Sequence, residues 1–170
     1  MKLVAVPSMN FEERQDEIQF IILHATDTKN LEETFTYLID SVEPNRVSAH
    51  YVIDRTGYVF ALVPEDCTAW HAGISDWNGY CAKTGRNGLN HASIGIELQC
   101  EGDGKGDNFK GFTKLQLEAC NELVKRLMKR HHIPPQNVLR HSDIAPNRKK
   151  DPGRHFPYNK LKAGWEKERF

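Results

Sequence analysis

The densest group of chemically reactive side chains lies near the end of the chain, in residues 141–153, which read HSDIAPNRKKDPG. This stretch holds one histidine, two aspartates and three cations, with few apolar residues. Its two prolines and its glycine predict a loop, and catalytic groups concentrate on loops that a rigid scaffold holds in place. His141 and Asp151 are the side chains here that could bind a metal ion.

A catalytic zinc site needs three protein ligands and one open position, and two histidines with one carboxylate form an established set. The third ligand must come from elsewhere, and His24 is the best candidate because it follows the apolar run at residues 19–23, which predicts a buried strand. Other interpretations stay open. A histidine at a strand end is more often a hydrogen-bonded structural residue, and an aspartate before Pro-Gly is by default a turn residue. No local zinc motif such as HExxH is present.

Two further side chains could serve the chemistry at such a metal. Residues 93–98 (SIGIEL) alternate as a strand does, which places Glu97 with Ser93 and Gly95 on a face with little side-chain bulk. That leaves room beside the carboxylate for a substrate, although an ion-paired glutamate on a solvent face is the alternative. Lys149 lies two residues before Asp151, where its charge could stabilise an oxyanion, although a solvated surface lysine is the alternative.

The strands that must position these groups can be predicted from short apolar or alternating stretches. They cover residues 19–23, 49–54, 58–63 and 93–98. A hairpin turn at residues 55–57 joins the middle two, with Gly57 free to adopt positive φ. Residues 76–90 read as a long loop, and residues 136–140 as a short extended segment that delivers His141.

Helical spacing of apolar residues predicts helices over 31–42 and 113–131, and a last helical turn or two over 159–165. Thr113 and Gln116 match a capping box at the start of the longest helix. Its apolar stripe comprises Leu115, Ala119, Cys120, Leu123, Val124, Leu127 and Met128. Strands interleaved with helices predict an α/β fold, a central mixed β-sheet flanked by α-helices.

Length and composition narrow the class of protein. The 170 residues fit one domain, 1–170, and 23 basic residues balance 23 acidic ones, which argues against a nucleic-acid binder. No apolar stretch approaches the length of a transmembrane segment. No signal peptide is visible, so we expect a cytoplasmic protein as given, with a periplasmic or secreted domain whose leader has been removed as the alternative. The four cysteines include no CxxC pair, and we expect them to be reduced.

Four segments resemble the AmpD-type N-acetylmuramoyl-L-alanine amidases, relatives of amidase-type phage lysozymes and of animal peptidoglycan recognition proteins. The segments are ILH at 22–24, VSAHYVI at 47–53, AWHAGIS at 69–75 together with SIGIEL at 93–98, and the 141–153 loop. They span residues 20 to 158, and the last loop and AWHAGIS are highly specific. The shorter, broad-specificity AmiD-like branch of the family is the most similar.

The resemblance implies roles position by position. His24, His141 and Asp151 fall where the family binds zinc. Glu97 falls at the catalytic carboxylate, and Lys149 falls at the lysine that supports the transition state.

Substrate contacts are implied in the same way. Trp70 and His71 fall in the segment that lines the substrate cleft, and His50 and Arg55 fall near it. Arg154 stands where the family usually has proline, which removes no ligand but sits beside the metal loop.

The implied function is zinc-dependent hydrolysis of the amide between N-acetylmuramic acid, or its 1,6-anhydro form, and L-alanine. Peptidoglycan or muropeptides would be the substrate of an amidase-like α/β domain, which we expect to be a monomer. Two other classes stay open, a non-catalytic peptidoglycan-binding module and a zinc peptidase acting within the stem peptide. All three ligand positions are filled, which favours an enzyme, because relatives that lost catalysis typically lose a zinc ligand.

Overall fold

A six-stranded mixed β-sheet forms the centre of the protein, whose computed structural model describes residues 1–41, 46–102 and 111–168. The strands of the described part are β1 (Lys2–Ala5), β2 (Phe11–Glu13), β3 (Phe20–Ala25), β4 (Tyr51–Ile53), β5 (Tyr58–Ala61), β6 (Cys67–Ala69), β7 (Ser93–Leu98) and β8 (Val138–Arg140). The helices are α1 (Leu31–Ile39), α2 (Tyr80–Thr84), α3 (Lys114–His131), α4 (His141–Ile144) and α5 (Tyr158–Trp165). The α/β prediction is confirmed.

The order of the large sheet is β1-β5-β4-β7-β3-β8, and β2 and β6 form a separate antiparallel pair. Strand β3 lies between β7 and β8 and is parallel to both, so the carboxyl ends of these three strands meet at one edge. Strands β4 and β5 pair antiparallel as the predicted hairpin, and Gly57 adopts φ +85° in its turn. The edge where β3, β7 and β8 end is where the candidate ligands leave the sheet.

The two faces of β3 and β7 have different partners. Ile21 and Ile94 lie in the core that α3 and α5 cover, and so do the other residues of this face. Ile22 lies on the opposite face, in a smaller core with α2 and α4. Because side chains alternate along a strand, His24 shares the face of Ile22, and Glu97 shares the face of Ser93. Both candidate site residues therefore point away from α3.

Helix α3 begins after Thr113, whose side chain accepts a hydrogen bond from the Gln116 backbone N–H as a helix cap does. The predicted stripe is buried with one exception, because Leu115 is 56% exposed in the first turn. The second half of the capping box is absent. Gln116 instead donates to the backbone carbonyls of Ile53 and Gln99, which ties the helix to the strand ends.

The bounds of two other helices differ from the sequence prediction, in α2 because of contacts that the sequence pattern does not show. The predicted loop 76–90 contains α2, because Asp76 accepts hydrogen bonds from two backbone N–H groups of the following turn and Tyr80 packs edge-on against Phe20. Helix α1 ends at Ile39, and Val42 lies outside the described residues. The four cysteines are free thiols, as expected. No helix among the described residues is both long enough and apolar enough to cross a membrane.

Candidate metal centre

Strand β3 carries the first candidate ligand into the interior. His24 is 1% exposed and lies inside the strand, one residue before its end. In the parallel pairing of β3 with β7, its register partner is Glu97. The sheet therefore places an imidazole and a carboxylate side by side on one face, at the edge where β8 delivers His141.

The loop after β8 is folded back on itself. His141 does not lie in an irregular loop as predicted but begins the short helix α4, which is capped by the carboxylate of Asp143 bound to the Arg140 backbone N–H at 2.9 Å. The Ser142 N–H donates to the carbonyl of Asp151 at 3.0 Å. This backbone bond closes the loop and holds Asp151 beside His141.

Three potential ligand atoms converge at one point. His24 Nδ1 lies 2.9 Å from His141 Nδ1, and Asp151 Oδ2 lies 3.0 Å from His141 Nδ1 and 3.3 Å from His24 Nδ1. Among the described residues this is the group of histidine, cysteine and acidic side chains whose geometry could hold a metal ion, with ligand atoms within 4.8 Å of one another. The structure thus brings together the three residues that the sequence predicted as ligands.

The donor chemistry of this cluster fits zinc. His141 Nε2 lies 3.2 Å from the carbonyl of Ala72, which can only accept, so Nε2 carries a proton and Nδ1 is the nitrogen available to a metal. Two imidazoles and a carboxylate around an open side form a set that catalytic zinc uses. Burial, together with neighbouring His141, lowers the pKa of His24 to about 4, so this ring is neutral at pH 7 as a ligand must be.

Asp151 supplies the anion. Burial alone would raise the pKa of its carboxyl group, but the adjacent rings of His141 and His24 outweigh burial and hold that pKa below its usual range. The carboxylate is therefore ionised at neutral pH and can balance part of the charge of a divalent cation.

Glu97 contributes a carboxylate that has no partner within the described protein. Its Oε2 is sealed from solvent and makes no hydrogen bond. Burial, reinforced by the negative charge of Asp151, raises the pKa of Glu97 to about 8 against the opposing charge of Lys149. A buried polar group without a partner is costly, and such groups mark places where function outweighs stability.

A cleft of about 560 Å³ opens over these groups. Glu97 and Lys149 line it together with the three candidate ligands, and Trp70 forms part of its wall. The indole N–H of Trp70 is buried without an acceptor among the described residues. The cleft is therefore lined by an acidic side chain, a cation and an aromatic ring.

The other residues for which substrate contacts were implied differ in their position relative to the cleft. His71 borders the cleft but is only 9% exposed and packs behind His24. His50 is fully buried, where it accepts a hydrogen bond from the Gly95 N–H and faces Arg14. Arg55 lies in the β4–β5 turn and donates to the carbonyl of Gly111.

Two groups that support the site were not identified from the sequence. The Ala72 carbonyl contacts His141 and also accepts from Arg148, which reaches on to the carbonyl of Ile74 at 2.9 Å. The type of a residue does not indicate what its backbone carbonyl contacts, so the only sequence signal for Ala72 is its place in the specific AWHAGIS segment. Arg148 is one of three cations in the loop, and its residue type does not distinguish it from the other two.

Gly95 is required by the ring of His71. A Cβ atom built on Gly95 would lie 2.4 Å from the Cγ of His71, which neither a ring nor a strand backbone can avoid. We expect Gly95→Ala to lower the free energy of unfolding by about 1–3 kcal/mol, as overpacking in a buried site does. Thermal unfolding followed by circular dichroism measures this change.

Gly164 provides the matched control for that substitution. It lies in α5 with open space around its missing side chain, so Gly164→Ala should stabilise the protein by up to about 1 kcal/mol through helix propensity. Equal unfolding temperatures for Gly95→Ala and the unsubstituted protein would contradict the crowding seen here.

Comparison with known proteins agrees with this geometry. Residues 14–154 match the model of the N-acetylmuramoyl-L-alanine amidase family. The N-acetylmuramoyl-L-alanine amidase AmiD of Escherichia coli K12 is 36% identical over 154 residues, which cover 85% of this chain and 52% of AmiD. The 1,6-anhydro-N-acetylmuramyl-L-alanine amidase AmpD of Citrobacter freundii is 36% identical over 118 residues, which cover 69% of this chain and 57% of AmpD. The chain spans about half the length of these curated relatives.

Solved structures show the same similarity. A selenomethionine derivative of AmpD superposes with a TM-score of 0.76 at 28% identity and covers 95% of this chain and 93% of that one. Escherichia coli AmiD, solved in complex with anhydro-N-acetylmuramic acid-L-Ala-D-γ-Glu-L-Lys, superposes with a TM-score of 0.72 at 36% identity. The match covers 85% of this chain and 56% of the AmiD chain. With a family match over most of its length and this shared architecture, the chain belongs to the N-acetylmuramoyl-L-alanine amidase family.

Proposed function

We propose that residues 1–170 form a zinc-dependent amidase domain that hydrolyses the bond between N-acetylmuramic acid, or its 1,6-anhydro form, and L-alanine. The observation that supports this most strongly is the convergence of His24, His141 and Asp151 beside the unpartnered carboxylate of Glu97. Peptidoglycan fragments are the proposed substrates, in cell-wall turnover or muropeptide recycling. AmiD is named an N-acetylmuramoyl-L-alanine amidase and AmpD a 1,6-anhydro-N-acetylmuramyl-L-alanine amidase, and the AmiD complex contains an anhydromuramyl peptide.

His24, His141 and Asp151 would hold the zinc ion, and the remaining side of the cluster opens to the cleft. Zinc bound there would supply Lewis acidity, which polarises a scissile carbonyl and makes water more acidic near neutral pH.

Glu97 would move protons in this reaction. Glu97 lines the cleft, and no hydrogen bond to the described residues competes for its Oε2, so the carboxylate can accept a proton from the attacking water and return it to the leaving amine of alanine. A pKa raised to about 8 by burial suits a group that both takes and gives a proton, and a bound cation nearby would lower it.

Lys149 and Trp70 would complete the site. The ammonium group of Lys149 lies in the cleft wall, where it can stabilise negative charge that develops on the carbonyl oxygen. The ring of Trp70, which forms part of the cleft wall, offers an apolar surface to the sugar or the lactyl-alanine stem.

The proposed reaction can be tested by digesting intact sacculi beside purified anhydromuropeptides, each with and without a zinc chelator, and reading the products by mass spectrometry. An amidase releases the sugar with its lactyl group and an intact stem peptide that begins with alanine. Products cut within the stem peptide would identify a zinc peptidase instead. Binding without cleavage would identify a peptidoglycan-binding module.

Lys149 offers a second test with a neighbouring control. Lys149→Met should lower kcat by about a hundredfold, the usual cost of losing one oxyanion stabiliser, with zinc content unchanged. Lys150→Met removes an equal charge from an exposed side chain that donates to the Pro146 carbonyl, and kcat should stay within a few-fold of the unsubstituted protein. Equal kcat values for the two variants would remove Lys149 from the mechanism.

A further inference from the structure

A chain of buried hydrogen bonds leads away from His24 on the side opposite the candidate metal position. His24 Nε2 lies 3.0 Å from His71 Nδ1, and His71 Nε2 lies 3.2 Å from Ser93 Oγ. Ser93 Oγ lies 2.6 Å from the backbone carbonyl of Leu89. His24, His71 and Ser93 are 1%, 9% and 0% exposed, so bulk water does not compete for these bonds.

The backbone carbonyl of Leu89, at the end of this series of hydrogen bonds, determines the direction of each bond. A carbonyl oxygen can only accept, so the single hydroxyl proton of Ser93 is directed to Leu89. Ser93 Oγ must then accept from His71, which places the proton of the neutral His71 ring on Nε2. His71 Nδ1 is left as an acceptor, and His24 donates its Nε2–H to it. The proton of His24 therefore lies on the nitrogen that faces away from Asp151 and His141.

We propose that His71, held by Ser93, is a positioning residue that fixes the His24 tautomer with the Nδ1 lone pair directed at the metal. The inference rests on the proposed function in one respect, that the histidine–histidine–aspartate cluster binds zinc. It changes the implied role of His71, whose ring nitrogens are both engaged inside the protein and have no capacity left for a substrate.

The sheet is built around this ring. Gly95, between Ser93 and Glu97 on the same face of β7, leaves the space that His71 occupies. The next residue after His71 serves the other imidazole, because the Ala72 carbonyl accepts from His141 Nε2. Two consecutive residues of one segment thus set the proton position on both histidine ligands, the usual task of groups just outside a metal's ligands.

The experiment measures zinc affinity of the full chain by competition with a chromophoric chelator. Loss of such an outer partner typically weakens metal binding by about tenfold to a hundredfold, and we expect that loss for His71→Leu and about tenfold for Ser93→Ala. His71→Asn keeps an acceptor oxygen close to the position of Nδ1, so its loss should be smaller than that of His71→Leu. Ser8→Ala is the matched control, because Ser8 is 1% exposed and donates to the carbonyl of Leu38, outside the series of hydrogen bonds that joins His24, His71 and Ser93.

A second readout separates positioning from general destabilisation. In the zinc-loaded protein, ring ¹⁵N shifts in NMR should show His24 protonated at Nε2, and the unfolding temperatures of the zinc-free Ser93→Ala and Ser8→Ala proteins should be similar. Unchanged zinc affinity in both His71→Leu and Ser93→Ala, or a His24 protonated at Nδ1, would overturn the proposal while the amidase stands. Normal zinc binding without amide cleavage would overturn the amidase while the proposal stands, and a chain without zinc affinity would overturn both.

Discussion

Glu97→Gln is expected to lower kcat by a hundredfold to ten-thousandfold while zinc stays bound. General acid–base groups contribute about this much, and an amide cannot take a proton from water. The change is nearly isosteric, and Oε2 of Glu97 makes no hydrogen bond to the part of the chain that the structure describes. The unfolding temperature should therefore stay level or rise. Steady-state kinetics on an anhydromuropeptide, zinc analysis and calorimetry of the same preparation measure all three quantities.

The control for Glu97 is another carboxylate that the fold buries. Glu65 accepts from Tyr51 and pairs with Arg130 and His131, away from the cleft. Glu65→Gln weakens those pairs, so the unfolding temperature should fall while kcat per folded molecule is retained. This is the reverse of the result expected at Glu97. Full activity of Glu97→Gln with zinc bound would show that another group handles the proton.

Asp151→Asn is expected to produce the largest loss of zinc affinity and, with it, of activity. The substitution keeps the shape of the side chain but removes the one anion of the cluster, which holds its charge because His141 and His24 keep its pKa low. The loss should exceed the tenfold to hundredfold range typical of groups outside the ligand set, so it should surpass that of Ser93→Ala. Zinc titration with a competing chelator gives the comparison directly.

Asp143 supplies the matched control on the same loop. It caps α4 and pairs with Arg140, and it lies outside the metal cluster. Asp143→Asn should lower the unfolding temperature, because a helix cap and an ion pair are weakened, with zinc affinity within a few-fold of the unsubstituted chain. If Asp143→Asn lost as much zinc affinity as Asp151→Asn, the effect would belong to loop folding and not to ligation.

Strand β7 could be predicted residue by residue because its alternation is clean. The SIGIEL pattern separated Ile94, Ile96 and Leu98 from Ser93, Gly95 and Glu97, and the structure confirms both the bounds and the faces. Alternate residues of a strand face opposite sides of the sheet, so the pattern of burial along β7 can be recognised from neighbouring residues in the sequence. His24 is the best candidate for the third ligand from its place after an apolar run. Only the resemblance to a family favours that role over a structural histidine, because strand pairing decides what lies beside His24.

The sequence predictions were wrong where contacts with distant parts of the chain determine the local structure. Leu115 fitted the helical stripe, yet it lies in the first turn of α3 beyond the edge of the core and is exposed. Gln116 fitted a local cap, yet two strand-end carbonyls compete successfully for its amide. Helix α2 depends on Asp76 and on the packing of Tyr80, neither of which has helical periodicity. Spacing along the chain carries no information on such distant partners.

The two candidate histidine ligands are 117 residues apart in the chain. An ion that both hold would act as a removable cross-link between an early strand and the last loop. A ligand that binds only the folded chain stabilises it by about 4 kcal/mol when its free concentration is a thousand times its dissociation constant. The lifetime of the protein would then follow the local supply of zinc, and an environment that withdraws the metal would promote its unfolding and proteolysis as well as end its catalysis.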